Sequence, residues 1–221
     1  MSAEDLARWD ARYGAGDGGP GAPEPFVQDA LQQVIGAPGP RASEARSGAQ
    51  PRGDGWDGSA GPGPHVLDVA GGLGRHALAA ARLGLRATLL DISPAGLARA
   101  RAAATAEGLP LETVAADLDA QDSLPPGPFD AIVVAWFLLP EAAWAEVTAR
   151  LAPGGRLVYV QPTLQNQERH PHPSPRFCVT AGDLRARAEA AGLTTLVHEV
   201  GWDALDHHTE RLVAVKAGEA A

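Results

Sequence analysis

A glycine-rich turn between an apolar run and an alanine-rich segment constrains this chain more than any other feature. The segment reads Val66-Leu67-Asp68-Val69-Ala70-Gly71-Gly72-Leu73-Gly74-Arg75-His76. Its apolar half predicts a buried strand, and the residues after the glycines predict a helix that Gly84 ends. A strand that enters a helix through glycines leaves small residues and free backbone N–H groups at the carboxyl edge of a sheet. The segment therefore predicts an α/β fold with a nucleotide-like ligand at that edge.

Strand and helix signals alternate along the rest of the chain. Apolar runs predict seven strands, at residues 65–70, 85–90, 112–116, 131–135, 156–160, 195–200 and 211–215. Helices are predicted at 74–83, 94–107 and 141–151, and from Thr180, as a capping residue, to Ala191. Ser93 followed by Pro94 is a typical helix start. This alternation predicts a doubly wound, seven-stranded and mostly parallel sheet.

The N-terminal third of the chain has a different organisation. Two short helices are predicted, one starting at Ser2 and running to Tyr13, the other over residues 26–35. Thirteen of the 29 residues from Gly36 to Pro64 are glycine or proline, and such a segment buries too little apolar surface to be ordered. We therefore divide the chain into an N-terminal helical region (1–35), a flexible insertion (36–64) and a core (65–221).

Composition limits the classes of function. The 221 residues fit one domain, and 27 acidic against 18 basic residues give a net charge of −9, which argues against a nucleic-acid partner. The single cysteine, Cys178, excludes an intramolecular disulfide, and no histidine group has a spacing typical of metal ligands. The chain has no apolar run long enough for a signal peptide or membrane span, so we expect a cytoplasmic protein without metal or membrane partners.

Two further carboxylates follow strands that are predicted to lie beside the first. Asp91 ends the second strand, 23 residues after Asp68, and a carboxylate there can accept both hydroxyl protons of a ribose. Asp117 closes the third strand. Because parallel strands end at the same edge of a sheet, these acids are expected near the glycine-rich turn.

With these motifs the sequence resembles the class I S-adenosylmethionine-dependent methyltransferases. The family's acidic residue and D-x-G-x-G-x-G loop correspond to Asp68, Ala70, Gly72 and Gly74. Ala70 replaces the first glycine, and we expect the adjacent Gly71 to supply the lost flexibility. The segment 151–157, which contains Pro153-Gly154-Gly155, is similar to the family's entry to strand five, and the last two strands resemble its terminal hairpin with an antiparallel last strand.

The resemblance implies S-adenosyl-L-methionine as cofactor and a role for each matching residue. Asp91, with Ile92 beside it, would hold the ribose, and Asp117 would accept a hydrogen bond from the adenine amino group near the backbone N–H of Leu118. Ala135 and Trp136 would line the adenine pocket at the end of strand four. Asp68 would favour the positive charge of the donor, directly or through water.

The N-terminus is similar to one branch of this family. Trp9-Asp10-Ala11-Arg12-Tyr13, with Pro25-Phe26 further on, resembles the tellurite-resistance and thiopurine methyltransferases, in which an N-terminal segment lies over the cofactor. The resemblance implies that residues 1–35 cap the cofactor and that Trp9 and Tyr13 contact it. With no basic tract or added nucleic-acid module, the acceptor is expected to be a small, partly apolar molecule.

Two alternatives stay open from the sequence. The run from Gly72 to Ala77 also fits G-x-G-x-x-A, the dinucleotide-binding form, with Asp91 at a suitable distance, as in an NAD(P)-binding oxidoreductase. Asp68 and Asp117 favour the methyltransferase, because the nicotinamide-type strand is normally apolar. A non-catalytic module that binds a nucleotide-like ligand for another purpose would show the same motifs.

Overall fold

The computed structural model describes residues 3–16, 18–35, 63–120 and 122–218. Nearly all of the insertion proposed at 36–64, and the cap proposed at Ser2, lie outside the described residues. Within the described ranges, no helix combines the length and the apolar character that crossing a bilayer requires.

The order of elements follows the alternation in the sequence. Two N-terminal helices, α1 (Ala3–Ala15) and α2 (Pro25–Ile35), precede the sheet. The strands are β1 (His65–Val69), β2 (Arg86–Asp91), β3 (Glu112–Ala115), β4 (Phe129–Ala135), β5 (Leu151–Pro162), β6 (Leu193–Trp202) and β7 (His208–Lys216). The remaining helices are α3 (Arg75–Arg82), α4 (Pro94–Ala106), α5 (Ala143–Arg150) and α6 (Asp183–Ala190). Two short 3₁₀ turns, Leu164–Glu168 and Pro175–Phe177, lie between β5 and α6.

The seven strands form one sheet in the order β3-β2-β1-β4-β5-β7-β6. Strands β1 to β5 pair in parallel, whereas β7 lies antiparallel between β5 and β6. The predicted doubly wound sheet with an antiparallel last strand is confirmed. The strand order reverses its direction between β1 and β4, and open α/β sheets bind ligands at such a switch point.

Helices cover both faces of the sheet because side chains alternate along each strand. On one face Val66, Ala131 and Val158 pack with the helices α2, α3 and α4. On the other face Leu67, Ile132 and Leu157 pack with α5 and α6. Successive residues of the same three strands thus pack against helices on opposite faces of the sheet. The carboxyl edge of the sheet is left for a ligand.

Two local expectations are wrong. Strand five, expected at residues 156–160, already begins at Leu151, and it shifts its register against β4 in the segment where Gly154 has a φ of 74°. Thr180 does not cap α6, because Gly182 occupies the cap position and the carboxylate of Glu210 accepts from the backbone N–H groups of Gly182 and Arg185. The fully buried carboxylate of Glu210 on β7 thus caps α6 in place of the expected local residue.

The two N-terminal helices pack on different parts of the core. Helix α2 contacts α3, β4 and β5, with Val27, Leu31 and Val34 buried in the interface. Helix α1 contacts α4, at the carboxyl edge of the sheet. The N-terminal region therefore contributes both to the core and to the rim of the ligand edge.

Candidate functional site

A cavity of about 880 Å³ opens at the carboxyl edge, at the switch point between β1 and β4. Its floor is formed by the turn after β1 and by the ends of β2 and β4. Helix α1 covers one side, and the 3₁₀ turn Pro175–Phe177 borders the other. The residues that line the cavity include Trp9, Tyr13, Ala70, Gly71, Asp91, Ile92, Asp119, Ala135, Trp136, Phe137, Leu138, His172, Arg176 and Phe177.

The glycine-rich turn owes its shape to three residues with left-handed backbone conformation. Ala70, Gly72 and Gly74 have φ angles of 53°, 58° and 79°. Ala70 itself adopts the conformation of the glycine that it replaces, so the expectation that Gly71 would supply this flexibility is wrong. Position 71 instead requires glycine because there is no room for a side chain: a Cβ atom there would overlap the side chains of Asp68 and Leu89. An alanine at a φ of 53° stores backbone strain at the edge of the cavity.

Asp68 lies beneath this turn and is 1% exposed. Its Oδ2 accepts a 3.0 Å hydrogen bond from the backbone N–H of Ala77 in the first turn of α3. Its Oδ1 is buried without a hydrogen-bond partner among the described residues, and His76 Nδ1 lies 3.8 Å from it. A buried carboxylate oxygen without a donor is costly, so this atom marks a place for a donor from a ligand or a water.

Asp91 lines the cavity at the end of β2 and is 5% exposed. Its Oδ2 accepts from the backbone N–H of Gly72 at 2.8 Å, and its Oδ1 accepts from the backbone N–H of Ser93 at 2.9 Å. Burial raises the pKa of this carboxyl, while hydrogen bonds from the backbone N–H groups of Ser93, Gly72 and Ile92 oppose the shift. A carboxylate has about four lone-pair sites, so Asp91 keeps acceptor capacity for a further donor, such as a ligand hydroxyl.

Helix α1 places two stacked rings against the glycine-rich turn. The rings of Trp9 and Tyr13 lie 5.6 Å apart, and both line the cavity. The hydroxyl of Tyr13 lies so close to Gly72 that a Cβ atom there would overlap it, and the ring also lies against Gly96. Burial, together with the nearby charge of Asp91, raises the pKa of Tyr13 to about 12.

The acids after β3 divide between the cavity and its surroundings. Asp119 belongs to the lining, whereas Asp117 and the buried Leu118 do not. The Oδ1 atom of Asp117 accepts from the backbone N–H of Asp119 at 3.0 Å, which shapes the loop. The lining thus combines Ala70, Gly71, Asp91 and Ile92 with the end of β4, whereas Asp68 is buried beneath the turn and Asp117 lies outside the lining.

The end of β4 forms the opposite wall. Trp136 has a φ of 60°, and its backbone N–H donates to the carbonyl of Val160 at 2.9 Å. Its indole N–H donates to Glu24 Oε1 at 2.8 Å, and its ring meets the edge of His207 with centroids 4.8 Å apart. The sequence singled out Ala135 and Trp136 but not Glu24, because no local pattern links residues so far apart.

Tyr159 supports the next part of this wall from within the core. Its hydroxyl donates to the carbonyl of Phe137 at 2.8 Å and accepts from the backbone N–H of Leu139 at 2.9 Å. The side chain is fully buried. A single core hydroxyl therefore fixes the backbone of residues 137–139, which face the cavity with Phe137 and Leu138.

The far side of the cavity carries groups that the sequence did not assign. His172, Arg176 and Phe177 line it, and the guanidinium of Arg176 lies over the ring of Phe177 at 4.6 Å. No motif in the sequence assigned a role to these residues, so Arg176 is an addition from the structure. This side combines aromatic surface with a cation and an imidazole.

Comparisons with known proteins agree with this architecture. Residues 66–155 match the family model described as a methyltransferase domain. The ribosomal protein L11 methyltransferase of Thermus thermophilus is 40% identical over 96 residues, which are 43% of this chain and 37% of that protein. The match therefore spans well under half of the curated relative's length.

Solved structures show the same fold at low sequence identity. TehB from Haemophilus influenzae superimposes with a TM-score of 0.58 and 19% identity, over 70% of this chain and 58% of that one. Another solved structure comes from work on the conversion of a disulfide bond into a thioacetal group during echinomycin biosynthesis. It superimposes with a TM-score of 0.67 and 20% identity, over 97% of this chain and 94% of that one. Residues 66–155 are thus similar to a methyltransferase domain, and the strand order and the glycine-rich turn agree with that similarity.

Proposed function

We propose that this protein transfers the methyl group of S-adenosyl-L-methionine to a small-molecule acceptor. The observation that carries the proposal is the cavity of about 880 Å³ at the switch point, walled by the glycine-rich turn, Asp91 and Trp136 and covered by α1. Small-molecule sites measure about 300–1,000 Å³, so this volume suits a donor and a modest acceptor together.

The residues present fit an adenosyl sulfonium donor. Asp68 offers a buried carboxylate oxygen that has no donor among the described residues, which suits an ammonium group that reaches it directly or through water. Asp91 lines the cavity and keeps acceptor capacity for a ribose hydroxyl, with Ile92 beside it. Ala70 and Gly71 line the cavity at the glycine-rich turn, while Gly72 leaves room for the Tyr13 hydroxyl and Gly74 for Leu89 and Ala100.

Other contacts of the donor come from the wall and the cover of the cavity. Ala135 and Trp136 bound the site from β4, and Trp9 and Tyr13 bound it from α1. Asp117 and Leu118 would reach the adenine from the periphery, and Asp119 is the acid of this loop that lines the cavity. These residues, with the segment 1–35 as cover, make up the proposed cofactor site.

When bound, S-adenosyl-L-methionine supplies a methyl carbon that is already strongly electrophilic. The chain's residues therefore have to orient an acceptor and exclude water, and good alignment is worth roughly 7–11 kcal/mol of barrier. Phe137, Leu138 and Phe177 provide apolar walls for the acceptor, and α1 borders the cavity on one side. His172 lies in the same lining and is the group we propose to take a proton from a hydroxyl, thiol or amine acceptor.

A protein acceptor is the second candidate. The named relative from Thermus thermophilus acts on ribosomal protein L11, although the match covers 37% of that protein. The small acceptor is favoured because α1 and the Pro175–Phe177 turn border the cavity on two sides and narrow the approach for a protein substrate. The oxidoreductase alternative is less well supported, since the pair β7-β6 departs from the all-parallel order of dinucleotide-binding sheets.

The test is transfer of a labelled methyl group to defined acceptors. The protein is incubated with methyl-labelled S-adenosyl-L-methionine and, separately, with small aromatic and aliphatic thiols, amines and hydroxyl compounds, with selenite, and with purified L11. We expect label in at least one small acceptor and none in L11. Label in L11 alone would exclude the small-molecule proposal, and His172→Gln should slow transfer to any acceptor that must lose a proton.

A further inference from the structure

The carboxylate of Glu24 connects two walls of the cavity. It is 4% exposed and lies directly before α2. Its Oε1 accepts from Trp136 Nε1 at 2.8 Å and from Arg75 Nη2 at 3.1 Å. Its backbone N–H donates to His76 Nε2 at 3.3 Å. A single residue of the N-terminal region thus touches both the glycine-rich turn and the end of β4.

The contacts of Glu24 account for the orientation of the Trp136 ring. Trp136 has a left-handed backbone conformation, which an L-residue keeps only when its surroundings hold it there. Two groups hold the ring: the Glu24 carboxylate accepts from the indole N–H, and His207 meets the ring edge-on. Because Trp136 lines the cavity, the position of its ring shapes the wall at the end of β4.

The charge of Glu24 is balanced inside the same cluster. A buried carboxylate is stable only with a cation or several donors, and Arg75 provides the cation at 3.1 Å. Arg75 is the first residue of α3 and also lines the cavity. Loss of Glu24 would therefore leave an arginine without its carboxylate and an indole N–H without its acceptor, both at the ligand edge.

We propose that Glu24 is a positioning residue of the cofactor crevice, which sets the Trp136 ring and the Arg75 guanidinium in the places that donor binding requires. The inference rests on the proposed function, since it names the cofactor crevice. It makes the N-terminal region an integral part of the site, because a group from before α2 orders a wall made by β4.

The first experiment measures binding of S-adenosylhomocysteine by calorimetry to the full-length protein. Glu24→Ala is expected to weaken binding by roughly tenfold, whereas Glu24→Gln, which keeps an oxygen acceptor for Trp136, should stay within about threefold of the wild type. Glu210→Gln is the matched control, because Glu210 is also buried but caps α6 away from the cavity. It should lower the melting temperature without changing the affinity.

The second experiment separates positioning from general stability. Trp136→Phe removes the indole donor, and combining it with Glu24→Ala should weaken binding little more than either change alone, because both break the same contact. Fully additive losses, or wild-type affinity of Glu24→Ala, would overturn the proposal. So would a loss of affinity in Glu210→Gln equal to that in Glu24→Ala.

A spectroscopic measurement keeps this inference distinguishable from the proposed function. Glu24→Ala should change the near-ultraviolet circular dichroism of the tryptophans, and the change should vanish in the Trp136→Phe background. If the wild type does not bind S-adenosylhomocysteine, the proposed function fails and with it the crevice role of Glu24. A spectrum that is unchanged by Glu24→Ala would contradict the positioning of Trp136 even if the cofactor binds.

Discussion

The hydroxyl of Ser93 donates a 2.7 Å hydrogen bond to Asp10 Oδ1, which ties helix α1 to the start of α4. The same carboxylate oxygen accepts from the backbone N–H of Ala95 at 2.9 Å. Ser93 in turn accepts from the backbone N–H of Gly96, as the N-cap of α4. Asp10 therefore extends the cap of α4 from another helix, and it holds the cover of the cavity in place.

Asp10→Asn should loosen α1 while leaving the core intact. The hydrogen bonds to Ser93 and Ala95 lower the pKa of Asp10, so the contact contributes fully at neutral pH and is lost as the pH falls below the ordinary value of 3.8. Amide hydrogen exchange at pH 7 should rise several-fold in residues 3–15. Asp29→Asn, an exposed change on α2, is the control. Equal exchange in both variants would show that the contact does not hold α1.

Ala70→Gly should stabilise the protein. Ala70 has a φ of 53°, a conformation that costs an L-residue about 1–2 kcal/mol, and glycine relieves this strain at the expense of some unfolded-state entropy. We expect a net gain of about 0.5–1 kcal/mol in the free energy of unfolding, measured with urea. Ala102→Gly, at an exposed site inside α4, should lower stability by about 1 kcal/mol instead. Destabilisation by both changes would contradict the strain at Ala70.

Tyr159→Phe should destabilise the wall of the cavity. The change leaves the carbonyl of Phe137 and the N–H of Leu139 without the partner that they share, at a cost of about 1–3 kcal/mol in the free energy of unfolding. Tyr13→Phe is the comparison, because the Tyr13 hydroxyl makes no hydrogen bond in the part of the chain that the structure describes. An equal effect of the two changes in urea unfolding would argue against the role of Tyr159.

The stability of the protein should fall in mild acid through His65. Burial, followed by the charge of Arg86, lowers the pKa of this imidazole from 6.5 to about 4. His65 Nε2 lies 2.8 Å from the Thr88 hydroxyl, which itself donates to Glu112. Protonation thus favours the unfolded state. The stability that the neutral His65 side chain provides is fully present above pH 6.5. As the pH falls towards 4, the free energy of unfolding decreases by up to about 3 kcal/mol.

The check on His65 is a comparison of slopes. Free energies of unfolding are measured between pH 7 and pH 4 for the wild type and for His65→Gln, which cannot take up the proton. The variant should show a clearly smaller decline over this interval. Parallel curves would mean that other groups cause the acid sensitivity.

The fold and the central part of the site could be predicted from the sequence because their signals are local. The alternation of apolar runs and helical segments predicts the order of the elements, and Ser93-Pro94 predicts the start of α4 that the structure has. Asp68 and Asp91 each lie at or next to the last residue of a strand. Their meeting at one edge is a consequence of parallel pairing, in which Asp68 lies opposite Leu89 of β2.

The remaining features depend on partners that are distant in sequence. Glu24 is 51 residues from Arg75 and 112 from Trp136, so no periodicity relates them. The cap of α6 comes from Glu210, 28 residues after Gly182, and it replaces the local cap expected at Thr180. The positive φ of Ala70 is set by the turn as a whole. The residue type predicts a negative φ, because alanine rarely adopts a positive one.

Asp91→Asn should weaken cofactor binding more than it weakens the fold. An asparagine keeps one oxygen acceptor but loses the charge, and charged hydrogen bonds to ligand hydroxyls are worth about 1.5–3 kcal/mol. We expect the affinity for S-adenosylhomocysteine to drop by about tenfold or more in calorimetry. Asp130→Asn, whose carboxylate accepts from the backbone N–H of His65 at 2.7 Å, is the control and should bind normally. Unchanged affinity of Asp91→Asn would remove this residue from the site.

The proposed function requires that the cavity at the switch point between β1 and β4 binds an adenosyl sulfonium. Calorimetric titration of the wild-type protein with S-adenosyl-L-methionine, S-adenosylhomocysteine and NAD under the same conditions measures this binding. We expect one site with micromolar affinity for the first two ligands and no heat from NAD. Binding of NAD with silence from both adenosyl compounds would contradict the proposed function.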